Sequence, residues 1–163
     1  MKELGSHAER AVALLIARKQ TIVVAESSAG GLITAALLAV PGASACVRGG
    51  IVVYTREMRR DILGITDDEM RGLTPSTETY ALLKARRVRE RVKTDWALSE
   101  TGATGPTGSR YGYPPGHACF AVAGAVEAAR TLETGRADRV DNMQDFAAAA
   151  IDFLAEVVAR KPV

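Results

Sequence analysis

Cysteine, histidine and large aromatics are all scarce in this 163-residue chain, and each scarcity removes a class of function. The two cysteines, Cys46 and Cys119, sit in the apolar contexts Ala45-Cys46-Val47 and Ala118-Cys119-Phe120. That setting reads as buried free thiols rather than a disulfide. With His7 and His117 as the only histidines, no zinc-ligand spacing is present, and no metal or cofactor is expected. One tryptophan and three phenylalanines are too few for a base-stacking platform. No apolar run approaches the roughly 18 residues of a membrane span. Glu3 and Glu9 interrupt any basic-then-apolar leader pattern, so a cytoplasmic protein is expected. No repeat or flexible linker divides the sequence, which predicts one domain over 1–163.

Charge is plentiful but nearly balanced, with 21 Lys and Arg against 19 Asp and Glu. A net charge of +2 does not by itself call for a polyanionic partner. One segment does concentrate basic residues: Lys84, Arg86, Arg87, Arg89, Arg91 and Lys93. Ala81, Ala85, Val88 and Val92 make an apolar stripe through it at helical spacing, leaving the bases to the other faces. A solvated helix face is the plainer reading of these residues and a nucleic-acid patch the sharper one.

Periodicity and punctuation supply the elements. Ser6-His7-Ala8-Glu9 fits a capping box, so a helix is expected to start there and bury Ala8, Val12 and Leu15. A β-branched run predicts a strand over 21–26, and the apolar stretch that follows predicts a buried helix over 30–39, ended by Pro41-Gly42. A second strand is expected at 49–54, a short helix at 56–63, and a long helix from Pro75 to Lys93. Further strands are expected at 96–99, 117–123 and 126–132, with a loop at 102–108. Met143, Phe146, Ala147, Ala150, Leu154 and Val157 mark one face of a final helix. Helices alternating with early strands, then a late strand pair, predict a three-layer α/β/α sandwich around a mixed β-sheet.

In such sheets, sites collect beyond the carboxyl ends of strands. Glu26-Ser27-Ser28-Ala29-Gly30-Gly31 is one such segment, ending a strand and entering a buried helix. It offers a hydroxyl together with backbone N–H groups at Gly30 and Gly31, an arrangement suited to an anion or a developing oxyanion. The segments 54–59 and 101–108 are expected to converge on it.

In this order, the three segments resemble the CinA carboxy-terminal domain family, whose active members are nicotinamide mononucleotide deamidases. The family's Glu-Ser-Cys-Thr-Gly-Gly signature stands here as Glu26 to Gly31, and its Pro-Gly-Ala-Ser turn as Pro41-Gly42-Ala43-Ser44. Its Gly-Gly-strand-Tyr-Ser element corresponds to Gly49-Gly50 through Tyr54-Thr55, with a stop at Leu63-Gly64-Ile65. Its Thr-Gly-x-Ala-Gly-Pro loop appears as Thr101-Gly102-Ala103-Thr104-Gly105-Pro106, with Pro115-Gly116 beyond it. The match runs from about Glu9 to Val157. Three departures stand out. Arg59 occupies the position of a lysine found in active members, Ser28-Ala29 replaces Cys-Thr, and Thr104 replaces alanine.

The resemblance implies an amidohydrolase in which Ser27 attacks the carboxamide carbon of nicotinamide mononucleotide, ammonia leaves, and water hydrolyses the acyl-enzyme. It places Tyr54 and Arg59 with Ser27 at the catalytic centre. Ser28, Gly30, Gly31, Thr101, Gly102, Thr104 and Arg139 are the expected substrate contacts. A guanidinium stays protonated in proteins, so Arg59 can grip a phosphate but cannot serve as the base. A non-catalytic nucleotide- or phosphate-binding member of the same family is therefore the alternative. A small-molecule nucleotide partner and a homo-oligomer are expected, with no membrane partner.

Overall fold

The computed structural model describes residues 2–160, so the outermost positions of the expected 1–163 unit lie outside the described residues. Five strands form one sheet: β1 (Ile22–Glu26), β2 (Val47–Val52), β3 (Trp96–Ala103), β4 (His117–Ala123) and β5 (Ala128–Glu133). Their spatial order is β2-β1-β3-β4-β5. β1 runs parallel to both β2 and β3, while β3–β4 and β4–β5 are antiparallel. This is the mixed sheet expected, with helices on both faces.

Strand alternation sorts the core into two layers. Val24, Leu98, Phe120 and Val122 face α1 (Lys2–Ala17), α2 (Leu32–Leu38) and α5 (Arg139–Ala159), burying Leu15, Ile33, Phe146 and Leu154. Val23, Ala25, Ala97 and Ala121 face the other way, onto Ala81, Ala85 and Val88 of α4 (Glu78–Val92). Leu63 and Ile65, just after the short helix α3 (Arg56–Asp61), complete that second layer.

Several boundaries differ from the expected ones for identifiable reasons. α1 begins ahead of Ser6, whose hydroxyl bonds back to the Glu3 carbonyl instead of capping the helix. Pro75 precedes α4 rather than opening it. The cap is Thr77, whose side chain accepts from Tyr80 N–H, and Ser76 sits before it at φ 63°. β3 runs on to Ala103, so Thr101, Gly102 and Ala103 belong to a strand and not a loop. Pairing with β4 extends that far, with Ala103 opposite His117. α2 starts only at Leu32, because Gly30 and Gly31 adopt φ of 68° and 100° and turn the chain sharply before it. Both cysteines are buried and free.

The basic helix is not one uniform solvated face. Arg86 pairs with Glu127, Arg87 donates to the Gly64 carbonyl and to Glu69, and Arg89 donates to the Asp95 carbonyl. Lys84 is fully buried against the sheet, whereas Val92, expected in the apolar stripe, is exposed.

Candidate functional site

β1 and β3 run side by side from Ile22–Trp96 to Ala25–Ser99 and then separate. The ladder opens with Trp96 N–H on the Thr21 carbonyl. Continued at the same register, it would bring Ser27 N–H onto the Glu100 carbonyl. Instead Ser27 N–H turns to the Glu100 carboxylate at 2.9 Å. The Glu100 carbonyl accepts the Lys84 ammonium from α4 at 2.8 Å. The gap left where the two strands part is the mouth of a cavity of about 480 Å³.

Ser27, Tyr54, Arg59, Thr101 and Gly102 line this cavity together. Three separate strand ends thus deliver their residues to one space, as the topology predicts. Tyr80 from α4 forms part of the wall, and Arg110 and Tyr111 come from the segment between β3 and β4. Alternation places Ser27 on the α4 side, since Glu26 before it turns toward α2 while Ala25 packs in the α4 layer.

The first expected oxyanion donors are already engaged. Gly31 N–H donates to the Glu26 carboxylate at 2.9 Å, as do Ile33 N–H at 3.1 Å and Thr34 N–H at 2.7 Å. Gly30 N–H donates to the Ser27 carbonyl at 3.2 Å. The entrance to α2 therefore holds an anion supplied by the chain itself. Burial pushes the Glu26 carboxyl up from its ordinary value, and its hydrogen bonds to Thr34 and Ile33 partly offset this.

Ser28 is buried and donates its hydroxyl to the second Glu100 carboxylate oxygen, while Ala29 N–H donates to the first at 2.9 Å. Ser28 is thus a fastening for the segment rather than part of the cavity wall. Thr104 is buried too, and its carbonyl accepts from Asn142 Nδ2 at 2.8 Å. Arg139 stands at the rim, donating to the Gly105 carbonyl at 2.7 Å and to the Tyr54 hydroxyl at 3.0 Å. It thereby ties 62%-exposed Tyr54 to the loop beyond β3.

Arg59 carries the most pointed feature of the wall. It is 6% exposed and donates through one terminal nitrogen to Asp67, yet its buried Nε has no partner among the described residues. Hydrogen bonds from Arg59 and then Arg56 hold the Asp67 carboxyl below its ordinary range. An unsatisfied buried donor is costly, and this one belongs to a side chain that lines the cavity.

Sequence reasoning overlooked Lys84 and Glu100. Lys84 sits at 0% exposure, and burial pushes its amine down to about 8, against the raising influence of Glu100 and Glu26. Its Nζ also lies 5.6 Å from the centre of the Tyr80 ring. The signal was available: 80, 84 and 88 fall on the same helical stripe as 81 and 85. Glu100 likewise sits inside an otherwise apolar strand pattern, where a carboxylate needs buried donors. His117 is structural, held between the Ser76 carbonyl and Glu133 and stacked on Tyr113.

A cavity at the parting of parallel strands, with a serine and a buried arginine in its wall, is the candidate site of this three-layer α/β/α scaffold. The profile of the CinA C-terminal domain family matches residues 5–158, and the chain belongs to that family. A CinA-like protein of Gloeobacter violaceus is 38% identical over 120 residues, covering 74% of this chain and 28% of the relative. One from Chlorobaculum tepidum is 37% identical over 150 residues, covering 88% and 35%. The chain thus spans about a quarter to a third of the length of the curated relatives it matches. Among solved structures, the competence/damage-inducible protein CihA of Agrobacterium tumefaciens superposes with a TM-score of 0.87 at 25% identity, covering 95% of both chains. A CinA-superfamily protein of Klebsiella pneumoniae gives a TM-score of 0.89 at 24% identity, covering 96% of this chain and 98% of that one. No helix among the described residues is long and apolar enough to cross a membrane.

Proposed function

We propose that this domain is an amidohydrolase of the nicotinamide-nucleotide type, converting nicotinamide mononucleotide to nicotinic acid mononucleotide and ammonia through Ser27. The observation that carries the reading is the sharing of one cavity by Ser27 and Arg59, whose Nε is buried and unpartnered. A hydroxyl that attacks a carboxamide and a guanidinium that holds a phosphate are the two functions a nucleotide amidase must bring together. Tyr54 and Arg139 form a hydrogen-bonded rim over the same opening. With Gly30 and Gly31 committed elsewhere, stabilisation of the oxyanion falls to the Thr101 hydroxyl and the other polar groups lining the cavity.

The test is ammonia release from nicotinamide mononucleotide by the full chain. Ser27→Ala is expected to reduce turnover to the rate without enzyme while leaving nucleotide affinity within a few-fold. Turnover that survives this substitution would overturn the assignment of Ser27. A second reading, nucleotide binding without hydrolysis, draws on Arg59 standing where active relatives carry lysine. Saturable binding with no ammonia from the unaltered chain would select it.

A further inference from the structure

The proposed reaction leaves one role unfilled, because a serine hydroxyl needs a proton acceptor and Arg59 cannot be one. Among the described residues, the Ser27 contact to Glu100 runs through the backbone amide, which leaves the hydroxyl to face the cavity. Behind the same residue, on the α4 side of the sheet, the Lys84 ammonium meets the Glu100 carbonyl. Ser27 and Lys84 therefore approach Glu100 from adjoining positions where β1 and β3 part. Resting on the amidohydrolase reading, we infer that Lys84 is the proton acceptor for Ser27 and fills the place left empty at position 59.

Three geometric facts support this assignment. Lys84 lies one helical turn from Tyr80, which lines the cavity, and its Nζ stands 5.6 Å from the centre of that ring, buried directly behind the wall. Alternation puts the side chains of Ser27 and Thr101 on this same face. Finally, the Glu100 carbonyl that the β1–β3 register would give to Ser27 N–H is taken by the Lys84 ammonium at 2.8 Å, which sets that nitrogen where the two strands part beside Ser27. The groups around Lys84 are Glu100 on β3, Glu26 on β1 and Tyr80 on its own helix. On β4, His117 and Cys119 are engaged with the Ser76 carbonyl, Glu133 and Thr131. Desolvation lowers the amine to about 8, which makes a neutral fraction available near neutrality.

The steps balance. Neutral Lys84 accepts the Ser27 hydroxyl proton as the oxygen–carbon bond to the carboxamide forms. Lys84 then returns that proton to the departing nitrogen as the carbon–nitrogen bond breaks, releasing ammonia and leaving acylated Ser27. A water molecule next gives its proton to Lys84 and adds to the acyl carbon. Ser27 leaves with that proton as the free acid departs.

The experiment is Ser27 labelling by a fluorophosphonate probe across pH, with Ser27→Ala as the blank, run beside ammonia release from nicotinamide mononucleotide. In the unaltered chain, labelling is expected to rise with pH about a midpoint near 8. In Lys84→Met the rate is expected to fall about 100-fold or more and lose that inflection. Lys84→Arg, which keeps the charge but stays protonated, is expected to be equally slow. If Lys84→Met does not fold, the unaltered profile and Lys84→Arg decide the matter. Labelling of either variant at the original rate, or an unaltered chain without the inflection, overturns the role of Lys84. The expected labelling without ammonia release rejects the substrate and keeps Lys84, whereas ammonia release indifferent to Lys84 rejects the base and keeps the reaction.

Discussion

Replacing Glu100 with alanine is expected to lower the unfolding free energy by about 3–5 kcal/mol, since each buried donor left without an acceptor costs roughly 1–3 kcal/mol. Three groups lose their acceptor at once: Ser27 N–H, Ala29 N–H and the Ser28 hydroxyl. The two amides lie in a turn that cannot rejoin a sheet, so neither finds a new partner in the chain. Lys84 would also lose an anion that favours its charged form. For a chain of this size, such a loss corresponds to roughly 2–4 °C in melting temperature per kcal/mol. A melting temperature unchanged to within a degree or two would show that Glu100 does not fasten the Ser27 segment.

Glu100→Gln separates the hydrogen bonds from the charge. One carboxylate oxygen accepts both amides, and the other accepts only the Ser28 hydroxyl. A glutamine can keep its oxygen on the amides and place its NH₂ against Ser28, whose hydroxyl then accepts instead of donating. The fold should therefore survive with a much smaller penalty than in the alanine variant. Lys84, having lost a neighbouring negative charge, should deprotonate at lower pH. The sign for stability follows from proton counts. Between about 8 and the unfolded value of 10.5, native Lys84 holds fewer protons than the unfolded chain, so stability rises with pH across that window. The full rise is about 3 kcal/mol. Tyr80, pushed up to about 12, acts in the opposite sense above about 10, so the clean interval is the lower part. In Glu100→Gln the rise should begin at lower pH, as denaturant titrations at successive pH values would show.

The sheet was legible because strand alternation and helix spacing follow from burial alone, and burial decides most positions in the two core layers. Boundaries failed where a side chain replaced the backbone partner on which the pattern relies. Ser6 fits a cap by spacing, yet local helix propensity carries α1 past it. Gly30 and Gly31 looked like donors awaiting a ligand, but Glu26, one residue before Ser27, folds back to occupy that helix entrance. Nothing in residue spacing tells whether such a carboxylate turns inward or outward. Lys84 was obscured for the opposite reason. Four neighbouring bases on the same helix do reach solvent or surface partners, and an average over the helix hides the one that does not. The convergence of Ser27, Tyr54, Arg59 and Thr101 was readable because sheet topology alone brings strand ends together.

Arg59 provides the sharpest division between holding a ligand and transforming it. Arg59→Ala is expected to weaken binding of nicotinamide mononucleotide by about 10- to 100-fold, the range for one or two charge-assisted hydrogen bonds. Binding of the corresponding nucleoside, which lacks the phosphate, should change little. Calorimetry with both ligands checks this, and an equal loss for the two would place the phosphate elsewhere. Arg59→Lys asks the mechanistic question directly. It restores the residue of active relatives but gives up the planar fork whose Nε is unpartnered in the buried wall. If the amine at position 59 were the missing base, turnover would climb and its pH profile would shift. With Lys84 already supplying the amine from α4, the variant should bind the nucleotide less tightly and gain nothing in kcat. A rise of tenfold or more in kcat would move the base to position 59 and reduce Lys84 to a counter-charge for Glu26 and Glu100. The two candidate positions for the base stand on different elements, α3 and α4, so kinetics of the two single variants and their combination distinguish them.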